Sequence, residues 1–480
     1  MNRYRIALVI ALTTVALLLL PTAGALAAAK PTVSLKAAAR TATIGQTVLL
    51  KGVVGHPKAG VKTLVILEQS GKKWLHLATA KLTAKHAFAA KVALTRTGSW
   101  RLLALYKAGS MMVRSKVVVI TVNAWAGVSC GQFHTMALKT DGTLWAWGAN
   151  DSGQLGLKNT AERNSPTQVE PGSTWKAVSC GQDFTLAIKS NGTLWAWGDN
   201  SDGQLGLGTA DNHVHPTPAQ VGTASDWTAV SCGYVDTLAV QSNGTLWGWG
   251  SNGNGELGVN NTNQTNTPTQ VGSATTWTAV SCGNGYTLAI QRNGTLWGSG
   301  DNMRGQLGLG VPPDSTDTMT QVGSATTWTA VSVSGTDWYT LAIQDGTLWA
   351  FGHNDDYQLG LGSNNTNDET TPTQVGTDST WKAVSGGGGF NLAVKADGSL
   401  WSWGYSSSGN LGLGHMSQTV TSPTRVGTGH AWTAVSCGYE QTMVLRSDGT
   451  LWACGDSFWG DLGLGNTPDK DVPTEIGGAA

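Results

Sequence analysis

Asn191-Gly192-Thr193-Leu194-Trp195-Ala196-Trp197-Gly198-Asp199-Asn200-Ser201-Asp202-Gly203-Gln204-Leu205-Gly206 carries two signatures that recur along the chain. The first, Asp/Asn-Gly-Thr/Ser-Leu-Trp, returns with its Trp at Trp145, Trp195, Trp247, Trp297, Trp349, Trp401 and Trp452. The second, a Leu-Gly pair, returns at Leu155, Leu205, Leu257, Leu307, Leu359, Leu411 and Leu462. A Trp opening a W-x-x-V run precedes each copy, at Trp125, Trp175, Trp227, Trp277, Trp328, Trp381 and Trp432. Its spacings are 50, 52, 50, 51, 53 and 51 residues. A Pro-Thr/Ala-x-Val/Ile run follows, ending at Val169, Val221, Val271, Val375, Val426 and Ile476, with Met319 in place of Pro in the copy ending at Val322. Self-similarity at this period marks a repeat architecture.

Each signature has a physical reading. The Asp-Gly and Asn-Gly pairs suit a type I′ hairpin turn, which needs positive φ at both central residues. The T-L-A-I and L-W-A-W runs flanking them are its arms. Pro at the head of the last run suits a strand start or edge. Four short strands per copy is the content of one propeller blade, so the chain is expected to be all-β, with a seven-bladed propeller over 124–480. Each buried Trp removes ~150–250 Å² from water, a gross stabilisation of about 4–5 kcal/mol. The first copy has no Pro-Thr run before it, and the last has no W-x-x-V run after it. The C-terminal strand is therefore expected to pair into the blade opened by Trp125, closing the ring without a free edge.

These repeats resemble the regulator of chromosome condensation repeat family, whose blades carry Trp-Gly-x-Asn-x-x-Gly-Gln-Leu-Gly. Trp197 to Gly206 and Trp147 to Gly156 fit the motif, while Ser299, Phe351 and Cys454 replace its Trp and Tyr357 replaces its Gly. The resemblance covers residues 125–476 and implies a seven-bladed propeller. The family includes a nucleotide exchange factor, chromatin binders and secreted inhibitors of β-lactamases. Copy spacings of 50–53 leave no room for the protruding insertion that an exchange factor needs.

Composition agrees with short strands and tight turns: Gly is 64 and Trp 22 of 480, while charged residues are 12%, about half the usual share. Net charge is zero but segregated. Residues 30–123 hold 16 Lys+Arg against one acid, Glu68, whereas residues 124–480 hold 12 Lys+Arg against 29 Asp+Glu. The step at about residue 124 reads as a domain boundary. Alternating runs at roughly 10–13 residue spacing within 30–123 suit a small β-sandwich. Pro31-Thr32-Val33-Ser34-Leu35, Gly45-Gln46-Thr47-Val48 and Gly98-Ser99-Trp100-Arg101-Leu102 resemble the immunoglobulin-like repeats of bacterial surface proteins. Its charge points to an anionic envelope polymer rather than to specific nucleic-acid binding, since no aromatic-interleaved basic cluster is present.

Arg3 and Arg5, the apolar run Ile6 to Leu20, Pro21, and Ala-x-Ala matches ending at Ala27 and Ala29 form the layout of a secretory signal over 1–29. The apolar run spans about 22 Å as a helix, short of the ~30 Å hydrocarbon core. A secreted or cell-surface protein without a transmembrane segment after cleavage is expected.

Positions that differ between copies at one structural place are free to serve recognition. The most variable short turn precedes each T-L-A-I run. It supplies Phe133 and His134, Asp183 and Phe184, Tyr234 and Asp236, Tyr286, Asp337, Trp338 and Tyr339, Phe390, and Tyr439 and Glu440. Aromatics with a few acids are the chemistry of protein-interface anchors. The same rings serve equally to pack one blade on the next. No H-E-x-x-H, G-x-S-x-G, phosphate-loop or dinucleotide motif occurs, so no catalytic residue, metal or cofactor is assigned. Cys130, Cys180, Cys232, Cys282 and Cys437 share a place that also takes Val333 and Gly386, which suits a small buried residue. The expected function is an exported, non-enzymatic propeller that binds a protein and acts as an envelope or extracellular scaffold. A secreted enzyme inhibitor resembling the β-lactamase inhibitor proteins, or a glycan-binding or glycan-active propeller, is the alternative.

Overall fold

The computed structural model describes residues 30–43, 47–70, 72–94, 98–311, 313–429 and 431–477. The signal expected over 1–29 lies outside them. All described elements are strands. By contact the chain divides into two compact units, one built on residues 49–90 and 101–118 and the other on 119 onward, which also takes in 39–48 and 91–100.

Residues 32–123 form one sheet of four strands and one of six. The strand Ala87–Ala93 alternates in burial along its length, and Leu50, Ile66, Leu102 and Tyr106 are fully buried.

Beyond Trp125 lie seven four-stranded antiparallel sheets. The first consists of Trp125–Cys130, His134–Lys139, Leu144–Gly148 and Arg163–Val169. The seventh consists of Trp432–Cys437, Gln441–Arg446, Leu451–Gly455 and Lys470–Glu475. Each copy thus keeps its own Pro-Thr strand, and the expected closure is corrected. The C-terminal strand pairs with Leu451–Gly455, and Arg163–Val169 is the fourth strand of the sheet opened by Trp125.

The sheets close into a ring by packing and by repeated hydrogen bonds. A Ser Oγ near the end of each first strand accepts the backbone N–H of the next sheet. Ser129 takes Cys180, Ser179 takes Cys232, Ser231 takes Cys282, Ser281 takes Val333, Ser332 takes Gly386 and Ser385 takes Cys437, all at 3.0–3.1 Å. Ser436 then takes Cys130 at 2.9 Å, which joins the last sheet to the first. The first strands therefore line the axis, around a cavity of about 170 Å³, below the ~300–1,000 Å³ usual for small-molecule sites. All six cysteines are free thiols. Burial pushes the Cys130 thiol up to about 12, so it stays protonated.

Trp spacing sets the seams between sheets. Trp147 is fully buried, lies 5.8 Å from Trp125, and donates from Nε1 to the Asp461 carbonyl of the seventh sheet at 2.8 Å. Trp197, Trp249 and Trp403 make the same bond to the carbonyls of Gln154, Gln204 and Gln358. Ser299 Oγ and Cys454 Sγ keep the bond where the ring is lost. The Gly after this position has φ of +105° at Gly148, and a Cβ there would stand 2.5 Å from the Phe133 carbonyl. Only glycine fits both demands.

The hairpins also depart from expectation. Only the fifth, Asp345-Gly346, has positive φ at both residues, as type I′ requires. In the other copies only the Gly is positive. Those loops hold one more residue, as in Thr140-Asp141-Gly142, and take a type I turn followed by a left-handed Gly. Asp141 Oδ1 accepts from the N–H and Oγ1 of Thr143, whose hydroxyl in turn accepts from Trp145 Nε1.

Candidate functional site

Strand register decides which loops share a face. His134 pairs with Gly148, so the turn before the second strand and the loop after the third lie at one end of the sheet. The Ala149 N–H donates to the Phe133 carbonyl at 2.8 Å, locking the two together. The same bond recurs at Asp199 to Asp183, Ser251 to Val235, Asp301 to Gly285, His353 to Trp338, Tyr405 to Gly389 and Asp456 to Glu440. One face of the ring therefore bears an inner circle of turns and an outer circle of Gly-x-Asn-x-x-Gly loops.

The expected site residues divide by turn position. His134, Phe184, Asp236, Tyr286, Tyr339 and Phe390 are buried to within 1%. As contacts for a partner these six are corrected: each opens a second strand and points into the seam to the next sheet. His134 Nε2 meets Thr185 Oγ1 at 3.0 Å, and the Tyr339 hydroxyl donates to the Phe390 carbonyl at 2.9 Å. Burial lowers the His134 pKa to about 3, so the imidazole is neutral. The preceding residues stay on the surface. Phe133, Asp183, Tyr234, Asp337 and Glu440 are half-buried, while Trp338 and Tyr439 are 37% and 39% exposed.

The outer loops add residues that sequence reasoning passed over. Met303 and Phe458 are each 77% exposed and Tyr405 is 40% exposed, with Trp459 half-buried beside Phe458. All four occupy x positions of the Gly-x-Asn-x-x-Gly loop, where the copies differ from one another. The within-chain variability that marked the inner turns marks these as well.

The face is acidic. Burial, with help from Asp199 and Asp151, raises the Asp183 carboxyl to about 6. The ligand atoms of His353, Asp355 and Asp368 lie within 4.8 Å of one another. Protein groups already hold them: Gln358 Nε2 meets His353 Nδ1 at 3.2 Å, and Arg304 Nη1 donates to Asp368 at 3.1 Å. The Gln358 Oε1 accepts from the Asp356 N–H at 2.8 Å, and His353 Nε2 lies 3.0 Å from Asp355 Oδ2. Asp211, His213 and His215 lie in the strand Asp211–Gln220, where Asp211 Oδ1 accepts from the His213 N–H and meets His215 Nε2 at 2.9 Å.

Asp461 is fully buried, and neither of its carboxyl oxygens has a hydrogen-bond partner. It occupies the place held by Gln154, Gln204, Gln306 and Gln358, whose Oε1 accepts the N–H two residues back at 2.8–3.0 Å. The shorter Asp makes no such bond. Burial, then Asp456, holds its pKa well above 3.8. The folded chain keeps a proton that the unfolded chain releases, so this group costs stability as pH rises above about 4. Asp461→Asn should therefore unfold at higher denaturant than the parent near pH 7, and at the same concentration near pH 3. A margin independent of pH would refute this account of Asp461.

Models of the Regulator of chromosome condensation (RCC1) repeat match residues 141–188, 191–240, 243–290, 345–394 and 397–445. A second model of the same repeat matches 125–154 and 175–204. Together they cover more than half of the chain. Among curated proteins, the chain is 33% identical over 145 residues to the Ultraviolet-B receptor UVR8 of Arabidopsis thaliana, covering 29% of this chain and 32% of that protein. It is 33% identical over 130 residues to the Secretion-regulating guanine nucleotide exchange factor of Bos taurus, covering 26% and 27%. The chain thus spans about a third or less of the length of the curated relatives it matches. Among solved structures, Prp20p from Saccharomyces cerevisiae, described with its binding to Gsp1p and histones, aligns at TM-score 0.59 and 22% identity over 66% of this chain and 80% of that one. Human WBSCR16 aligns at TM-score 0.60 and 18% identity over 80% and 99%. These structural likenesses concern the fold.

Proposed function

The chain belongs to the regulator of chromosome condensation (RCC1) repeat family, and on that premise we propose that it is an exported, non-enzymatic propeller whose loop-bearing face binds a protein partner at the cell envelope or outside the cell. One observation carries the reading. Large apolar side chains stand exposed on a single face, in loops whose sequences differ from copy to copy: Trp338, Tyr439, Phe458 and Met303. A folded chain gains nothing from holding Trp and Phe in water, whereas such anchors dominate binding energy at protein interfaces. Relatives described as exchange factors, and Prp20p with its protein partners, support a protein ligand over a small one.

A leader over 1–29, a basic β-domain over 30–123 and a propeller over 124–480 belong to the same proposal. The 16 Lys+Arg of residues 30–123, against one acid, suit attraction to an anionic envelope polymer that keeps the protein near the surface. The experiment is affinity capture with the full chain beside its Trp338→Ala/Tyr439→Ala/Phe458→Ala variant. A protein retained by the parent and lost by the variant supports the assignment, and equal retention removes it.

A further inference from the structure

The seam where the seventh sheet meets the first differs in chemistry from the seam between the first and the second. In the latter, Gln154 Nε2 donates to Asp183 Oδ1 at 3.2 Å, joining an outer loop to the next inner turn. At the closing seam Asp461 stands in the place of Gln154, and Phe133 in the place of Asp183. The hydrogen bond is replaced by a carboxyl without a partner and a ring.

Aromatics cluster around Phe133. Phe133 meets Tyr439 edge-on at 5.7 Å and Trp459 at 6.1 Å, and Phe458 stands edge-on to Trp459 at 5.1 Å. Acids frame the cluster. Glu440 accepts from Ser407 Oγ at 2.9 Å, and Asp456 accepts from the Phe458 N–H at 3.1 Å. Burial raises the Asp456 pKa, with Asp469 and Glu440 adding to it. Among the described residues, no Lys, Arg or His forms an ion pair with Glu440, Asp456, Asp461 or Asp469. Ring faces attract cations through their quadrupole, and a carboxylate nearby strengthens the attraction.

We propose that this seam receives a Lys or Arg side chain from a basic segment of the protein partner, held between the rings of Phe133, Tyr439, Phe458 and Trp459 and the carboxylates of Glu440 and Asp456. The excess of acids over bases in residues 124–480 draws such a segment to the face. The inference rests on the docking reading above and specifies the chemistry of the partner at one place on the face.

The test titrates the full chain into fluorescein-labelled oligo-lysine and oligo-arginine peptides at low salt, read by anisotropy, with oligo-glutamate as control. The cationic peptides should bind and the acidic one should not. Glu440→Gln and Tyr439→Ala should each weaken the cationic peptides by about tenfold, while Val214→Ala, exposed on the strand Asp211–Gln220 of the second sheet, should leave them within about twofold. Glu440 is half-buried and Tyr439 is 39% exposed, so both variants should melt with the parent, and a loss of binding in them is then not a loss of fold. Self-association of the parent, abolished by the same two substitutions, would identify the bound segment as the basic residues of a second copy. Equal affinity of parent and variants, or retention of oligo-glutamate, would overturn the proposal. If that happens while protein capture still depends on Trp338 and Phe458, the docking face stands and only its cation-receiving seam is lost.

Discussion

Trp338→Ala/Tyr439→Ala/Phe458→Ala should bind the captured protein at least about 100-fold more weakly than the parent, with an unchanged thermal midpoint. The magnitude follows from hot-spot energetics. Truncating one anchoring aromatic costs ~2 kcal/mol or more, and three that share an interface do not add in full. Unchanged stability follows from exposure. Phe458 is 77% exposed, and Trp338 and Tyr439 are 37% and 39% exposed, so little buried area is lost on truncation. Isothermal calorimetry on the purified pair gives the affinity, and a thermal melt of the variant gives the control. A variant that melts with the parent and binds like it would leave the exposed rings without a role.

Trp147→Ala should lower the unfolding free energy by about 3–5 kcal/mol, the usual range for a fully buried Trp. The seam it fills is special. Successive sheets are joined by the chain, but the last and first are held only by non-covalent contacts. Those contacts include Trp147 Nε1 to the Asp461 carbonyl, Thr135 Oγ1 to the same carbonyl, Gln441 Nε2 to the Gly131 carbonyl, and Ser436 to Cys130. Met443, Leu445, Leu451 and Leu462 pack with Trp147 in one cluster. Opening that seam frees an entire sheet, so amide exchange across His134–Lys139 should accelerate in Trp147→Ala. Trp249→Ala, at a seam the chain bridges, should lose similar stability without exposing the first sheet. Equal exchange of the first sheet in both variants would contradict closure at this seam.

The propeller was readable in the sequence because every copy must meet the same demands. Trp147, Trp197, Trp249 and Trp403 reach one backbone carbonyl each, the Gly that follows needs positive φ, and Asp141 and its counterparts cap one hairpin. The way the ring closes was not readable. A fourth strand pairing backward across residues 149–162, or forward into the next copy across 170–174, yields the same strand count. The short link looks more like a hairpin than the long loop, but pairing runs across the long loop. The inner turns precede each second strand, but the third residues of six of them, His134 among them, are buried. Neighbouring residues at a strand start point to opposite sides, so Phe133 reaches the surface and His134 the seam. Met303, Tyr405, Phe458 and Trp459 were overlooked because their loop was read for its constant Asn and Gly rather than for the residues between.

The central claim is that one face of the ring docks a protein. Hydrogen–deuterium exchange on the full chain, alone and bound to the captured protein, tests it most directly. Protection should appear in the inner turns around 132–133, 337–338 and 439–440 and in the outer loops around 303–304 and 456–460, with the hairpins at 140–142, 190–192 and 447–449 unchanged. Protection confined to those hairpins, or to residues 30–123, would contradict it.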